Sequence, residues 1–191
     1  MKMYKKVAVI YILCVFTLLC RLDTVTFAAM TQEDLLLERT SVCYVGGRVF
    51  DDLVLGATGQ IEFVCLDSKL SAALAKAHKD ITEAKIARFP FPEWIEESSY
   101  QVAAGKKGTV VFLARLEAFK PWDMDPTQIF VGGYNLTKND VFTSSMTNPF
   151  GEVESGETGT FAFAVPSAEV KAGHEISMGY GEFGVKWKVP K

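Results

Sequence analysis

The closing stretch of the sequence, residues 176–189, is the feature that most limits the fold. Apolar side chains occupy every second position, with serine, glycine or lysine between them. A period of two is the pattern of a β-strand with one buried and one solvent-facing side. Gly181 separates two such runs, so we predict a β-hairpin that ends the chain. The alternating apolar residues are Ile176, Met178, Tyr180, Phe183, Val185, Trp187 and Val189.

The same alternation recurs across residues 98–191. Long apolar faces are predicted for strands at 110–118 and 160–165, and shorter strands at 100–104, 127–134 and 141–142. About seven short strands with one wet face each are typical of an antiparallel β-sandwich. The predicted fold class is therefore mainly β with one helix (α+β).

A different pattern precedes this region. Strands are predicted at 41–45, 48–55 and 60–66, with a turn at the Gly46-Gly47 pair. From 69 to 86, apolar residues recur at helical spacing, and Asp67 or Ser68 is suited to cap that helix. A shorter helix is expected from Thr31, where a capping box precedes three leucines.

An aromatic, proline-rich segment at 89–94 separates the two patterns. Its two prolines disfavour both a helix and a strand ladder, so we place a boundary near residue 97. The predicted regions are 29–97, a strand-and-helix region, and 98–191, the β-sandwich. Phe89, Phe91 and Trp94 are possible binding residues, although docking inside the protein is the preferred interpretation.

The first 28 residues are typical of a secretory signal peptide. Lys2, Lys5 and Lys6 precede an apolar run of 13 residues at 7–19, too short for the ~20 residues of a membrane span. Small residues near Ala28 suit cleavage there, while lipidation at Cys20 is a weaker alternative because Leu19 is large. We expect a periplasmic or extracellular protein with no transmembrane anchor after cleavage.

Two cysteines, Cys43 and Cys65, remain beyond this leader. A pair of thiols in an oxidising compartment normally forms a disulfide, and this is the prediction for Cys43 and Cys65. A metal site would need further ligands, but the sequence has no Cys-x-x-Cys motif and only two histidines.

The charge of the chain disfavours nucleic acid as a partner. Without residues 1–28 the chain keeps sixteen basic and twenty-two acidic side chains, a net charge of −6. A protein of this charge repels phosphate backbones.

Trp122, Asp123 and Asp125 form the most chemically suggestive loop. Two carboxylates two residues apart, beside an aromatic ring, could bind calcium or a partner. Calcium normally takes six or more oxygen ligands, so an exposed turn is the preferred interpretation. We expect no metal site and no cofactor.

Part of the sandwich region resembles a known family. The run at 110–113, the later 129–131, the glycine turn at 156–158 that leads into 161–166, and Trp187 in the last strand resemble the immunoglobulin-like, telokin-like sandwiches of exported bacterial proteins. The resemblance covers about the last 85 residues. It implies a β-sandwich fold and brings no catalytic residues with it.

These observations favour an exported, non-enzymatic binding protein whose partner is a protein or a component of the cell envelope. No Gly-x-Ser-x-Gly motif is present to support nucleophilic catalysis. Two alternatives remain: an envelope hydrolase that uses carboxylates such as Asp123 and Asp125, and a carrier of a small ligand held between sheet and helix.

Overall fold

The computed structural model describes residues 31–50, 53–95, 107–142 and 150–191. All of them belong to one compact unit, Thr31–Lys191. The predicted signal peptide at 1–28 and the predicted strand at 100–104 lie outside the described residues. Within the described part, no helix has the length and apolar character needed to span a bilayer.

The fold is mostly antiparallel β with few helices, as predicted. The helices are α1 (Gln32–Leu37) and α2 (Ser68–Thr82). The strands are β1 (Thr40–Val45), β2 (Arg48–Phe50), β3 (Leu53–Leu55), β4 (Gly59–Leu66), β5 (Thr109–Ala118), β6 (Trp122–Met124), β7 (Ile129–Val131), β8 (Tyr134–Asn135), β9 (Val141–Phe142), β10 (Gly151–Val153), β11 (Thr158–Pro166), β12 (Glu175–Tyr180) and β13 (Phe183–Lys188).

Two of the predicted elements are confirmed, although the helix predicted at 69–86 ends at Thr82. The helix α2 begins after Asp67, whose side chain accepts a hydrogen bond from the backbone N–H of Leu70. The closing hairpin consists of β12 and β13, with Tyr180 paired to Phe183 across Gly181. Both features depend on residues that are neighbours in sequence.

Strands from both predicted regions form one sheet. Its order is β1-β4-β5-β11-β9, and β4 pairs antiparallel with β5 although residue 97 lies between them in sequence. A second sheet has the order β13-β12-β7-β8, and two pairs, β10-β6 and β2-β3, stand apart. Residue 97 therefore does not divide two domains, because the regions on either side share one sheet and one core.

The main core lies between the five-stranded and four-stranded sheets. The Phe112 and Phe163 rings stack with centroids 5.4 Å apart, and Phe112 meets Trp187 of the opposite sheet edge-on at 6.0 Å. Ile61 and Phe63 on β4 are fully buried in the same cluster. The period-two apolar face of each strand therefore points into this core.

The other face of the five-stranded sheet is covered by helical structure. Leu70 and Leu74 of α2 pack with Leu113 of β5 and with Ala162 of β11. The expectation of one wet face per strand is wrong for β5, where Phe112 and Leu113 point to opposite faces and are 1% and 0% exposed. A strand buried on both faces explains why its sequence reads as a nearly continuous apolar run.

The aromatic segment completes this helical layer. Phe91 is buried, and Phe89 and Trp94 pack against the same cluster as α2. The Phe89 ring lies 5.6 Å from that of Phe91 and 4.8 Å from that of His78. Of the two sequence-based interpretations, the contacts therefore favour docking inside the protein.

The predicted disulfide between Cys43 and Cys65 is wrong, since both thiols are free and buried. Cys43 lies opposite Ile61 in the β1-β4 register, and Cys65 is four residues further along β4. Four strand residues span about 13 Å, whereas the Cα atoms of a disulfide lie within about 7 Å. Burial raises the pKa of the Cys65 thiol to about 12.

Candidate functional site: a β-arm with uncovered apolar side chains

The pair of strands β2 and β3 projects from the end of the β1-β4 pair, and we call it the β-arm. Arg48 pairs with Leu55, Val49 with Val54 and Phe50 with Leu53. Asp51 and Asp52, which join the strands, lie outside the described residues. The β-arm thus continues the hairpin that β1 and β4 begin.

An extra residue separates the β-arm from β1 and β4. The last pair of the body is Val45 with Gly59, and the first pair of the arm is Arg48 with Leu55. Two residues lie between these pairs on one strand and three on the other, which is the arrangement of a β-bulge. Bulges bend a strand and increase its twist, so the arm leaves the direction of the sheet here.

Glycines make this bend possible. Gly46 and Gly56 have φ angles of +73° and +76°, in the left-handed region that side chains disfavour. A Cβ atom on Gly47 would lie 3.0 Å from the Cβ of Ala57, which shows how closely the two strands approach. The predicted turn at Gly46-Gly47 is therefore wrong, because these glycines bend a hairpin instead of closing one.

Large apolar side chains of the β-arm are uncovered. Val49 is 58% exposed, Phe50 and Leu53 are each 56% exposed, and Leu55 is 50% exposed. Register and alternation place Phe50, Leu53 and Leu55 on one face and Val49 with Val54 on the other. Both faces of the arm therefore carry exposed apolar side chains, and Arg48 shares the face of Phe50.

This exposure is unusual for a folded protein. A two-stranded hairpin alone is marginally stable in water, and contiguous exposed apolar patches on a monomer commonly mark interaction sites. In the adjoining strands, by contrast, the core contains Cys43 and Val45 of β1 and Ile61, Phe63 and Cys65 of β4. The β-arm is thus the part of the described chain whose surface most resembles an unfilled interface.

The base of the β-arm is fastened to the body and carries positive charge. Thr58 O accepts hydrogen bonds from the backbone N–H groups of Phe119 and Lys120. The Lys120 ammonium donates to Gly56 O over 3.0 Å. The Phe119 side chain is 40% exposed, so the apolar surface continues onto the body beside this lysine.

The residues from Trp122 to Asp125, expected to form an exposed turn, instead form β6 and its end near the same place. Trp122 is buried edge-on against Tyr180, with ring centroids 5.0 Å apart. The Asp125 carboxylate accepts hydrogen bonds from the backbone N–H and the hydroxyl of Thr127, which lower its pKa. Asp125 therefore caps the 3-10 turn Pro126–Gln128, while Asp123 is exposed on β6. The described residues contain no group of three or more side chains placed to hold a metal ion.

A buried ion pair, which the sequence did not reveal, joins the two helices. The Arg39 side chain is fully buried, and its guanidinium lies 2.8 Å from the Asp67 carboxylate and donates to Leu35 O. Partial burial of Asp67 opposes ionisation, but the hydrogen bonds from Arg39 and from Leu70 N hold its pKa below the usual value. The pair fixes the start of α2 beside the end of α1.

Two shallow grooves lie on the surface of the described residues. One, of about 610 Å³, lies between Leu37 and the end of β13 near Trp187. The other, of about 370 Å³, includes Glu169, whose carboxylate accepts from Gly133 N. The interior between the sheet and α2 is occupied by Leu70, Leu74 and other apolar side chains.

Comparison with known proteins adds no relative. No family model, curated protein or solved structure matches this chain. A functional assignment must therefore come from the geometry described above. The sequence did contain one signal of the β-arm, since residues 48–55 lack the alternation with polar residues that a half-buried strand shows.

Proposed function

We propose that this protein is a non-enzymatic binding module and that the β-arm is its contact with a protein partner. The observation that supports the proposal is the exposure of both apolar faces of the arm, at Val49 on one side and at Phe50, Leu53 and Leu55 on the other. Covering such side chains in an interface recovers roughly 25 cal/mol per Å² of apolar surface.

The alternatives have weaker support. Asp125, one of the two carboxylates suggested for a hydrolase, is engaged by Thr127. The space suggested for a carried ligand is filled by the core residues of α2 and β5. Binding through the arm uses the surface that the fold leaves uncovered.

Two further parts of the proposal rest on the sequence. The leader at 1–28 favours action in the periplasm or outside the cell, where a cell-envelope protein is the expected partner. The resemblance to immunoglobulin-like sandwiches agrees with this setting, since it links residues 110–187 to exported proteins.

The test compares two leucines that receive the same substitution. Leu53→Asp places a charge on the β-arm, and Leu37→Asp places one on α1, where Leu37 is 72% exposed. We expect immobilised Leu53→Asp protein to lose the partners that the unchanged protein retains from an envelope extract, and Leu37→Asp protein to retain them. If both variants retain the partners equally, the β-arm is not the contact.

A further inference from the structure

We propose that the β-arm pairs with the β-arm of a second copy of this chain, through the outer edge of β2. This inference rests on the proposed function, because it names a second copy of the chain as a partner that binds the β-arm. The result is a four-stranded sheet in the order β3-β2-β2-β3, with the two copies related by a two-fold axis. An isologous contact of this kind closes on itself and forms a dimer instead of a fibre.

The first argument is the unpaired edge. Among the described residues β2 pairs only with β3, so its other edge presents unpaired backbone groups. The strand β1, by contrast, contacts the second sheet, where the Cys43 thiol donates to Phe183 O over 3.4 Å. The arm continues past the bulge, beyond these contacts. An unpaired strand edge is best satisfied by another strand.

The second argument distinguishes the two edges of the β-arm. Proteins protect edge strands with proline, lysine or an inward charge. The chain directly after β3 is bound by the Lys120 ammonium at Gly56 O. The strand β2 consists of Arg48, Val49 and Phe50, and its only charge is at the base of the arm. The β2 edge is therefore the one left open to pairing.

The third argument is that the side chains of the two copies match when the two β2 strands pair about their middle residue, Val49. When two copies of a three-residue strand pair antiparallel about its middle, Val49 meets Val49 of the other copy, and Arg48 lies opposite Phe50. Opposite residues share a face, as Arg48 and Phe50 do in the arm. A guanidinium beside an aromatic ring is attractive, so each copy supplies what the other lacks.

The size of the contact sets its strength. Each copy contributes three strand residues and the exposed side chains of one arm, far less than the roughly 800 Å² per partner of a standard interface. We therefore expect a weak dimer, populated at concentrations of about 100 µM and above.

The test places a cysteine at either member of one cross-strand pair. Val49→Cys puts two thiols opposite each other across the proposed two-fold axis, within disulfide distance. Val54→Cys puts them on the outer strands, about 14 Å apart, beyond disulfide reach. The unchanged chain, which carries Cys14, Cys20 and the buried Cys43 and Cys65, measures the background.

Under mild oxidation we expect the Val49→Cys protein to form a covalent dimer at least about tenfold faster than the Val54→Cys protein, which should remain at background. Sedimentation of the unchanged protein should show an average mass that rises between about 10 and 500 µM. Phe50→Lys, which sets a second cation opposite Arg48 of the other copy, should abolish the rise. Equal cross-linking of the two cysteine variants, or a constant monomer mass, would overturn the pairing.

These outcomes are separate from those of the proposed function. A monomer that still retains envelope partners through Leu53 would overturn self-pairing and leave the binding role intact. A dimer whose partners are unaffected by Leu53→Asp would support self-pairing and reject the arm as the contact with those partners.

Discussion

The β1-β4 pair and the β-arm are two halves of one long hairpin, yet they have opposite environments. In the first half, Ile61 and Phe63 are fully buried. In the second, Phe50 and Leu53 are more than half exposed. Apolar sequence alone therefore does not decide burial, because a strand is buried only where another layer is available to cover it.

The bulge marks the change between these environments. On one side of it, the second sheet and the helical layer cover β4. On the other side, Val49 and Leu55 of the β-arm are at least half exposed. Substitutions in the two halves should therefore have very different effects on stability.

The largest contrast should come from the same substitution in the core and in the arm. Phe163→Ala removes a fully buried ring that contacts Phe63 and Phe112, and we expect a loss of about 4 kcal/mol in the free energy of unfolding. Phe50→Ala should change it by no more than about 0.5 kcal/mol, because that ring is exposed. Urea unfolding measures both, and a comparable loss at Phe50 would mean that the arm is packed in solution.

The Arg39–Asp67 pair tests how far burial of charge matters in the body. Asp67→Asn keeps a capping side chain but leaves the Arg39 charge buried without its partner, and we expect a loss of about 2 kcal/mol. Glu38→Gln is the control, because Glu38 lies 3.5 Å from Arg39 but is half exposed. A similar loss in both variants would contradict the special role of Asp67.

The same pair predicts a pH dependence. The pKa of Asp67 is lower in the folded protein, so its contribution to stability is present above the unfolded pKa of about 4 and is lost as the pH falls through the folded value. The free energy of unfolding of the unchanged protein should fall below about pH 4. The difference in this free energy between the unchanged protein and the Asp67→Asn variant should become smaller in the same range. A constant difference down to pH 2 would rule out this linkage.

A larger side chain at the bulge should change the position of the arm while it changes the stability of the body only slightly. The Cβ of Gly47→Val would start 3.0 Å from the Cβ of Ala57, so we expect the arm to shift while the unfolding free energy falls by only about 1 kcal/mol. Gly56→Ala is the control, since its Cβ meets nothing within 4 Å and only the positive φ is strained. Combined with Val49→Cys, Gly47→Val should slow the cross-linking more than Gly56→Ala does.

The smallest expected effect concerns the thiols. Because Cys43 and Cys65 are free, a reducing agent should leave the unfolding free energy unchanged. Burial raises the pKa of both thiols, so neither should react with a thiol reagent at pH 8 until the protein unfolds. If the free energy of unfolding falls when a reducing agent is added, the two cysteines form a disulfide after all.

The sequence predicted local features and missed those set by distant contacts. The α2 helix and the closing hairpin follow from short-range patterns around Asp67 and Gly181. The disulfide prediction failed because the register of β1 against β4 is not encoded in cysteine spacing. The β-arm was misread as a continuous strand after a glycine turn, because the same residues, Gly46 and Gly47, suit a turn and a bulge.

The two-sided burial of β5 also has a consequence for the order of folding. Its neighbours β4 and β11 each lie roughly fifty residues away in sequence, so both of its ladders close long loops, which slows folding. During synthesis, the second edge of β5 can pair only after the residues near 160 have been made. The five-stranded sheet therefore cannot be completed until most of the chain is available to pair.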